Sequence, residues 1–552
     1  MTVPSSLRWL NGHAGNQHRK RARRHPFHPR LVTLEERTVP TVFTVSTLAD
    51  SGNGSLRQAV LDANGHAGAD TIRFTVSGTI ALTTGQLGVT DALTVQGPGA
   101  GRLAVSGSDA SRVFHIAGGV AATISGLTIT RGRADQSSPA VPSTGGGVLN
   151  QGTLTLANVV VSNNRALGDA GTVLAVGGYT LFGAALGGGV ANLGTLAVSG
   201  STFTANQALG GNGTAGLPFP NIVFPGMGLG GGLYNLLSTA AVTNCRFTDN
   251  LALGGSNCTG ALGALGGGGA VYNDASLSVA GSLFTGNRAV GGDNSVADIH
   301  PGHGVGGAIG SGSVQALFGT RSASLQVGAS TFLRNEARGG DDNRVTGSVS
   351  RLDGPSDAFG GALFVYQGSA AVRASGLIQN RAVGGAGGGD QNGSIGGGGA
   401  IIFLNFVGGV TGTVTNNTIV ANEALGGAGR AGERGGDALG GGVLMGGLGG
   451  VFGSQGSITF NGSILVANLA RGGQGGSGAA GGDGLGGGLF NDADSKLALI
   501  ASLVAANQAR GGPGSAASKG IGGGLYNLGT YTSTLSVILG NVASTSNNNV
   551  FG

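Results

Sequence analysis

The sequence predicts an all-β protein, a right-handed parallel β-helix with a short N-terminal capping helix. Three observations lead to this prediction. Glycine makes up 118 of the 552 residues, which supplies turns throughout the chain. A unit built around one asparagine recurs over most of the length. Inside each unit, apolar and polar residues alternate over short stretches typical of strands, and helical spacing of apolar residues is not sustained.

Residues 1–40 form a basic leader that we do not expect to fold alone. The whole chain holds 30 Lys and Arg against 25 Asp and Glu, and the leader contains eight of the basic groups and two of the acidic ones. The remaining residues therefore carry 22 basic and 23 acidic groups. Because this part is close to neutral and shows no basic cluster, nucleic acid is not a predicted partner.

Residues 41–143 are predicted as an N-terminal cap and the first irregular coils. Ser55 is a favourable N-cap for a helix over residues 56–63, whose apolar residues fall on one face. A helix in this place would cover the open strand edges at the end of a solenoid. The apolar face consists of Leu56, Ala59, Val60 and Ala63. Strands are predicted at residues 71–76, 79–82, 92–95, 112–116 and 123–129.

Residues 144–552 are predicted as a β-helix array of ten units. Every unit has an asparagine, with an apolar residue three positions before it and an alanine two positions after it, from Ala166 to Ala543. The asparagines are Asn164, Asn206, Asn250, Asn287, Asn335, Asn380, Asn422, Asn468, Asn507 and Asn541. The apolar residues are Val161, Phe203, Phe247, Phe284, Phe332, Leu377, Ile419, Leu465, Val504 and Ile538.

Each coil is predicted to hold three short strands separated by corners of glycine or asparagine. The apolar residue would point inward and stack on its equivalents about 4.8 Å apart. The asparagine suits a corner because it tolerates left-handed backbone and hydrogen-bonds locally, and stacked amides can bond to one another as a ladder. The units are longer than a minimal coil, so a glycine-rich loop should leave every coil at the same corner.

Two cysteines in so long a chain exclude a disulfide scaffold. Cys245 stands where most other units have serine, which favours a small buried thiol, and Cys258 lies in the adjoining loop. The sequence leaves open whether the two pair.

No stretch is long and apolar enough for a transmembrane helix, and the N-terminus lacks the apolar core of a standard signal peptide.

The motifs of the chain resemble those of a known group. The stretch from Thr44 to Asn64, the sequence Gly-Leu-Thr-Ile-Thr-Arg-Gly ending at Gly132, and the Gly-Gly-Gly-x-x-Asn segments are similar to bacterial right-handed parallel β-helix proteins. Within that group they resemble large surface or secreted proteins with polymorphic outer-membrane-protein-like repeats. The segment Leu34 to Pro40 resembles a short sorting segment that precedes such β-helices. The resemblance implies export and cleavage near Pro40, and it implies no particular reaction.

The enzyme alternative rests on the pectate lyases and polygalacturonases, which have the same right-handed β-helix fold. Gly302-His303-Gly304 and Asp341-Asp342 look like two polygalacturonase motifs, but they occur in reversed order and the other two motifs of the family are absent. Glycoside hydrolysis needs two carboxyl groups facing one bond, and no such pair recurs on the predicted strand faces. No catalytic residue is therefore predicted, and a polysaccharide lyase or glycoside hydrolase stays the alternative.

A row of loop aspartates is the candidate metal site. Each of these residues directly follows a glycine, and stacked loops would bring the carboxylates into one row able to hold Ca²⁺ through oxygen ligands. Turn formation by Gly-Asp is the rival interpretation. The residues are Asp293, Asp341, Asp390, Asp437 and Asp483. No other cofactor is predicted.

The function predicted from the sequence is that of a non-catalytic extracellular or cell-surface protein, structural and adhesin-like. Its expected partners are surface polysaccharides or other cell-surface components.

Overall fold

The parallel coils of a β-helix are seen in the computed structural model, which describes residues 40–138, 141–176, 179–217, 225–312, 322–347, 355–388, 391–405, 409–447 and 456–552. Five long sheets run along the β-helix, and every strand pair within them is parallel. The leader, apart from Pro40, lies outside the described residues. The predicted fold class is confirmed.

A regular coil passes through the five sheets in a constant order. One coil runs from Val148–Asn150 in sheet 1 to Thr153–Ala157 in sheet 2, Val160–Ser162 in sheet 3 and Arg165–Leu167 in sheet 4. A loop follows, and Ala185–Leu186 in sheet 5 then leads into sheet 1 of the next coil. The prediction of three strands per coil is wrong, because the strands of sheets 4 and 5 are only two or three residues long and show too little alternation to be recognised in sequence.

Sheet 1 comes from the Gly-Gly-Gly-x-x-Asn segments, and its central strands are buried on both faces. In the described residues it contains thirteen strands. They are Leu87–Val89, Phe114–Ile116, Val148–Asn150, Val190–Asn192, Leu233–Asn235, Val271–Asn273, Ile309–Ser311, Leu363–Tyr366, Ile401–Leu404, Val443–Gly446, Leu489–Asn491, Leu525–Asn527 and Val550–Phe551.

Sheet 2 alternates buried apolar residues with exposed residues that are mostly small or hydroxyl-bearing. This alternation is typical of a sheet with one solvent-exposed face. The described residues contribute fourteen strands to it. They are Val42–Val45, Asp70–Phe74, Leu93–Gln96, Ala121–Ser125, Thr153–Ala157, Thr195–Ser199, Thr239–Thr243, Ser276–Ala280, Ala323–Gly328, Gly368–Arg373, Val410–Thr415, Gly456–Asn461, Ser495–Ile500 and Thr530–Thr534.

Sheet 3 carries the predicted inward column of apolar residues at the centre of its short strands. Thirteen strands belong to it in the described chain. They are Gly78–Ala81, Leu103–Ser106, Thr128–Thr130, Val160–Ser162, Thr202–Thr204, Arg246–Thr248, Leu283–Thr285, Thr331–Leu333, Gly376–Ile378, Thr418–Val420, Ile464–Val466, Leu503–Ala505 and Val537–Leu539.

Sheets 4 and 5 have the shortest strands. Where the chain is described, sheet 4 has eleven strands and sheet 5 has nine. Sheet 4 comprises Arg133–Ala134, Arg165–Leu167, Gln207–Leu209, Leu251–Leu253, Arg288–Val290, Glu336–Arg338, Arg381–Val383, Glu423–Leu425, Leu469–Arg471, Gln508–Arg510 and Val542–Ala543. Sheet 5 comprises Ala185–Leu186, Gly228–Leu229, Gly266–Gly267, Gly304–Val305, Ala358–Phe359, Gly396–Gly397, Ala438–Leu439, Gly484–Leu485 and Gly520–Ile521.

The loops between sheets 4 and 5 add two small sheets. Val173–Val176 and Tyr179–Phe182 pair antiparallel. Thr259–Leu262, Val296–His300 and Arg344–Val345 form a parallel sheet across three coils. The predicted loop at one common corner is thus confirmed, and part of it is itself ordered into strands.

Helix α1, Leu56–Gly65, lies at the N-terminal end. It begins after Ser55, whose hydroxyl oxygen accepts a hydrogen bond from the backbone N–H of Gln58. All four residues of its predicted apolar face are buried. The predicted helix and its cap are confirmed. The predicted strand at 123–129 is two strands, because Gly126 turns the chain between them at a φ of 61°.

The interior of the coils is a continuous apolar core. The predicted inward column is fully buried from Val161 to Val504, and Ile538 in the last coil is partly buried. Successive rings of Phe203, Phe247, Phe284 and Phe332 stack with centroids 4.6 to 4.8 Å apart. A second apolar cluster, which the sequence did not predict, covers the outer face of sheet 1 and includes Tyr234. There, a Cβ atom on Gly267 would lie 2.8 Å from the ring of Tyr272 and from the side chain of Leu229, so a larger residue would require these side chains to shift.

The predicted asparagine ladder is present. Nine side-chain amides donate to the next asparagine oxygen at 2.8 to 2.9 Å, from Asn164 to Asn541. The predicted left-handed backbone belongs, however, to the residue just before each ladder asparagine, such as Ala205 or Arg334. The asparagine itself is buried and points into the coil, where its amide can reach both neighbouring coils.

Candidate functional site

The outer face of sheet 4 carries a series of ion pairs between adjacent coils of the β-helix. In each of its three-residue strands the middle residue is a buried alanine, so the residues before and after it face outward. Parallel in-register pairing places equivalent outward residues next to one another in adjacent coils. Charges one coil apart therefore interact directly.

A depression of about 410 Å³ lies at the N-terminal part of this face and is lined by Asp109, Arg131 and Arg165. Arg131 donates to Asp109 Oδ2 from Nη2 at 2.7 Å and from Nε at 2.8 Å. Arg165 Nη2 lies 3.5 Å from Asp109 Oδ1. Burial alone would raise the pKa of Asp109, but the hydrogen bonds and positive charges of these two arginines hold it below its usual value. Asn163 and Gln207 also line the depression.

A second depression of about 510 Å³ is lined by Arg133 and Asp135. Arg133 Nε donates to Asp135 Oδ2 at 2.8 Å, and the backbone N–H and hydroxyl of Ser137 donate to Oδ1 at 3.0 and 2.6 Å. Burial opposes ionisation of Asp135, yet the bonds from Ser137 and Arg133 leave its pKa lowered. Arg133 is the in-register neighbour of Arg165, so the two depressions adjoin.

Further along sheet 4 the charges alternate in sign. Glu336 Oε1 lies 3.3 Å from Arg288 Nη2 in one neighbouring coil, and Glu336 Oε2 lies 3.7 Å from Arg381 Nη1 in the other. Arg381 Nε also lies 3.1 Å from Glu423 Oε2. This four-residue ladder neutralises itself and links four successive coils.

The predicted aspartates do not form one row. Asp293 and Asp341 lie where the loop leaves the coil, and the backbone N–H of Asp341 donates to Asp293 Oδ1 at 2.8 Å. Asp341 Oδ1 accepts the N–H of Ala386 at 2.9 Å, and Oδ2 accepts from Arg338 Nη2 at 2.7 Å. Asp390 lies outside the described residues. These two carboxylates thus bind backbone and arginine groups.

Asp437 and Asp483 form a separate pair where the loop returns to sheet 5. Asp437 Oδ1 accepts the N–H of Asp483 at 2.7 Å, and Asp483 Oδ1 accepts the N–H of Lys519 at 2.7 Å. Arg434 Nη2 lies 2.8 Å from Asp437 Oδ1 and 2.9 Å from Asp483 Oδ2. The pKa of Asp437 is raised, first by burial and also by the charge of Asp483, although the backbone bond and Arg434 oppose the rise.

Two carboxylates per pair are a small donor set for Ca²⁺, which takes six to eight oxygens. In the part of the chain that the structure describes, no group of three or more His, Cys, Asp or Glu is placed to hold a metal ion. Calcium binding at these aspartates stays a prediction.

The residues that look like polygalacturonase motifs have structural partners. His303 directly precedes the sheet 5 strand Gly304–Val305, and its Nδ1 accepts the backbone N–H of Asp357 at 2.8 Å. Asp342 forms an ion pair with Arg430, and Asp341 binds Arg338 as described above. These contacts give both motifs a structural role.

Both cysteines are buried free thiols. Cys245 takes the place of serine in a column of the interior, where its N–H donates to Ser282 Oγ at 3.0 Å. Cys258 occupies an equivalent place in the loop region, where its N–H donates to Ser295 Oγ at 3.1 Å. Burial raises the pKa of both thiols, which lowers their reactivity.

Comparisons with known proteins leave the family open. No protein-family model matches the chain, and no curated protein matches it significantly. Among solved structures, the chain is similar to the catalytic unit of a thermostable GH87 alpha-1,3-glucanase from Streptomyces thermodiastaticus. The identity is 11%, the similarity covers 92% of this chain and 70% of that chain, and the TM-score is 0.34.

Two further solved structures are similar at the same level. A tailspike protein of bacteriophage CBA120 is 10% identical over 89% of this chain and 60% of that chain, with a TM-score of 0.28. The A-module of mannuronan C-5 epimerase from Azotobacter vinelandii is 10% identical over 92% of this chain and 100% of that chain, with a TM-score of 0.25. Similarities this weak carry no conclusion about activity. In the described residues, no helix is long and apolar enough to cross a membrane.

Sequence reasoning missed the charged face of sheet 4. A signal was present, because the residue after the ladder asparagine is Arg, Gln or Glu in seven of the ten units. These residues are Arg165, Gln207, Arg288, Glu336, Arg381, Glu423 and Gln508. The two depressions were harder to find, since Asp109, Arg131 and Asp135 belong to coils that do not follow the repeat.

Proposed function

We propose that the protein is a non-catalytic structural rod of adhesin type that acts outside the cell or on its surface. The observation that carries this proposal is the buried asparagine ladder. Each inner ladder amide uses its two donors and its oxygen on neighbouring coils, as Asn335 does with Phe284, Asn380 and Asn287. The most regular polar groups of the chain therefore connect neighbouring coils and are not accessible to a substrate.

The carboxylates of the two depressions support a non-catalytic function. A glycosidase acid needs a raised pKa, so that it is protonated near neutral pH, and a second carboxylate facing the same bond. Asp109 and Asp135 have lowered pKa values and are bound to arginines. Both are ionised at neutral pH and neither can serve as a general acid.

A polysaccharide-active enzyme is the second candidate, and one pair of residues favours it. Asp437 has a raised pKa and shares Arg434 with Asp483, so two carboxyl groups and a basic group lie together, as a lyase or glycoside hydrolase would require. The same pair also has a structural role, because each aspartate binds the backbone of the next coil.

The deciding experiment is incubation of the full chain with a panel of acidic and neutral polysaccharides. Unsaturated products report lyase activity and new reducing ends report hydrolysis. We expect neither above background, together with retention of the protein on at least one polysaccharide matrix. Turnover that is lost in Asp437→Asn or Asp483→Asn, with circular dichroism unchanged, would establish the enzyme instead.

We also propose that residues 1–40 direct export and are removed near Pro40. The leader is basic, and the rod begins with the strand Val42–Val45, so cleavage there would leave the first coil intact. N-terminal sequencing of the protein from its native cells tests this. Recovery of the abundant form from the cytosol with Arg19 to Arg24 still attached would rule it out.

A further inference from the structure

We propose that Arg471 and Arg510 form a binding site for one oxyanion, a carboxylate or sulfate group, of an acidic polysaccharide. This inference rests on the proposed function and names the chemistry by which the rod would hold its polysaccharide partner. The two arginines end adjacent sheet 4 strands, Leu469–Arg471 and Gln508–Arg510, and are direct in-register partners. Both side chains are exposed. Their backbones lie one strand spacing apart, about 4.8 Å.

No neutralising partner accompanies these two guanidinium groups. Among the described residues, neither side chain takes part in a hydrogen bond or an ion pair. Like charges directly opposite on neighbouring strands destabilise a sheet. The pair therefore costs the rod stability in the absence of a bound anion, and an anion placed between the two groups removes that cost.

Elsewhere on sheet 4 the chain neutralises its arginines. The other in-register arginine pair, Arg133 and Arg165, has Asp135 and Asp109 bound to it. Arg288 and Arg381 flank Glu336. The Arg471–Arg510 pair departs from this pattern.

Arginines without a partner on other sheets stand singly. Arg246 on sheet 3 has Thr202 and Leu283 as in-register neighbours. Arg373 on sheet 2 has Gly328 and Thr415. Neither arginine has a second cation as an in-register neighbour, so at neither place could two guanidinium groups contact one anion.

The chemistry of the pair fits an oxyanion with several acceptor oxygens. A guanidinium group is planar, always charged and carries five N–H donors that match carboxylate and sulfate oxygens. Two such groups one strand spacing apart can donate to the same anion from two sides. Each arginine is followed by two glycines, so no adjacent side chain screens the pair from solvent.

The charge distribution favours an acidic polysaccharide over a nucleic acid. A nucleic-acid strand presents closely spaced phosphates and needs a row of cations along the contact. Here one pair of unneutralised arginines lies on a body with 22 basic and 23 acidic groups. A polysaccharide with separated uronate or sulfate groups can place one group on the pair and contact the rest of the rod through its hydroxyls.

The test measures binding of the full chain to heparin, polygalacturonate, neutral dextran and single-stranded DNA. The double variant Arg471→Gln, Arg510→Gln removes the site. The matched control Arg246→Gln, Arg373→Gln removes the same number of unpaired charges at separate places. We expect wild type and control to bind heparin or polygalacturonate in a salt-sensitive manner. The affinity of the site variant should be lower by at least about tenfold.

A second readout guards against a folding artefact. Because the site variant loses a like-charge contact, we expect its Tm without ligand to equal or exceed that of wild type. Equal weakening in the control variant, binding of DNA as tight as that of the acidic polysaccharides, or absence of acidic polysaccharide binding by wild type would each overturn the site.

The outcomes for the site and for the proposed function are separable. Retention of wild type on neutral polysaccharide alone would overturn the arginine site and leave the non-catalytic rod standing. Turnover of a polysaccharide would overturn the non-catalytic function, whereas loss of acidic polysaccharide binding only in the Arg471→Gln, Arg510→Gln variant would still support the site.

Discussion

At the scale of single residues, the ladder asparagines show why one residue type recurs at one place. From the second ladder asparagine onward, the side-chain oxygen accepts from both the backbone N–H and the amide of the asparagine before it, as Asn335 does from Asn287. Its amide donates to a backbone oxygen and to the next asparagine. Aspartate has no donor for these bonds, and serine is too short to span two coils.

Asn335→Ala should lower the free energy of unfolding by about 3 kcal/mol, because it leaves buried groups on both neighbouring coils without partners. Urea unfolding followed by circular dichroism measures this. The control is Gln326→Ala, which changes an exposed residue of sheet 2 in the same coil and should be close to neutral. A ladder variant as stable as the control would contradict a structural role for the amides.

Asp50 gives the N-terminal cap a specific pH dependence. Burial alone would raise its pKa, but the N–H and hydroxyl groups of Thr83 and Thr84 and the Arg57 guanidinium lower the pKa from 3.8 to about 2. A lowered folded-state pKa means that this stabilisation is complete above pH 3.8 and is lost as the pH falls through about 2.

The difference in Tm between wild type and Asp50→Asn should therefore shrink as the pH falls from about 4 to about 2. Thermal unfolding at a series of pH values measures the difference. Asp62→Asn changes an exposed carboxylate of helix α1 and should show a much smaller effect throughout. A constant Tm difference for Asp50→Asn across this range would refute the assignment.

At the scale of elements, the corners decide where strands end. Three places in a typical coil have left-handed backbone: the residue before the serine column, the residue before the ladder asparagine, and the first glycine of the Gly-Gly-Gly segment. Examples are Gly281, Gly286 and Gly230. Because alanine and arginine also occupy some of these places, as in Ala205 and Arg334, bonding between stacked coils outweighs the local cost of the left-handed conformation.

Helix α1 is the element that closes the N-terminal end. Leu56→Asp places a charge in the fully buried contact between this helix and the first coil, which should loosen the cap and expose the strand edges beneath it. We expect a lower Tm and concentration-dependent self-association in size-exclusion chromatography with light scattering. The matched control is Leu61→Asp on the exposed face of the same helix, where the leucine is 56% accessible. Identical behaviour of the two variants would show that the cap does not protect the edge.

At the scale of the whole molecule, stability comes from contacts repeated between neighbouring coils. Equivalent residues meet at each step, including phenylalanine rings in sheet 3, asparagines in the ladder, and alternating arginine and glutamate on sheet 4. Any ligand that bridges coils adds to these contacts and stabilises the rod by mass action.

Calcium binding is testable at this scale. If the aspartate pairs Asp293–Asp341 and Asp437–Asp483 hold Ca²⁺, excess calcium should raise the Tm relative to a chelator. Asp437→Asn with Asp483→Asn, and Asp293→Asn with Asp341→Asn, should each remove part of the shift. Equal Tm values in calcium and chelator would exclude calcium as a ligand of the rod.

The sequence by itself determined the parallel β-helix, helix α1, the inward apolar column and the asparagine ladder. These features depend on local patterns that repeat at a steady interval, such as the apolar residue three positions before each ladder asparagine. Ser55 and the apolar face of the helix are likewise local signals. Each could be recognised without knowing which residues of different coils lie side by side.

Only the tertiary structure decided the five-sheet cross-section, the second apolar cluster outside sheet 1 and the partners of the charged groups. Loops of unequal length separate the coils, so sequence spacing does not show that Arg471 meets Arg510 or that Asp341 and Asp437 lie in different columns. In-register stacking of the coils sets those neighbours. The physical reason is that charge pairing and burial depend on which residues of adjacent coils lie side by side. The path of each loop between the coils sets that register.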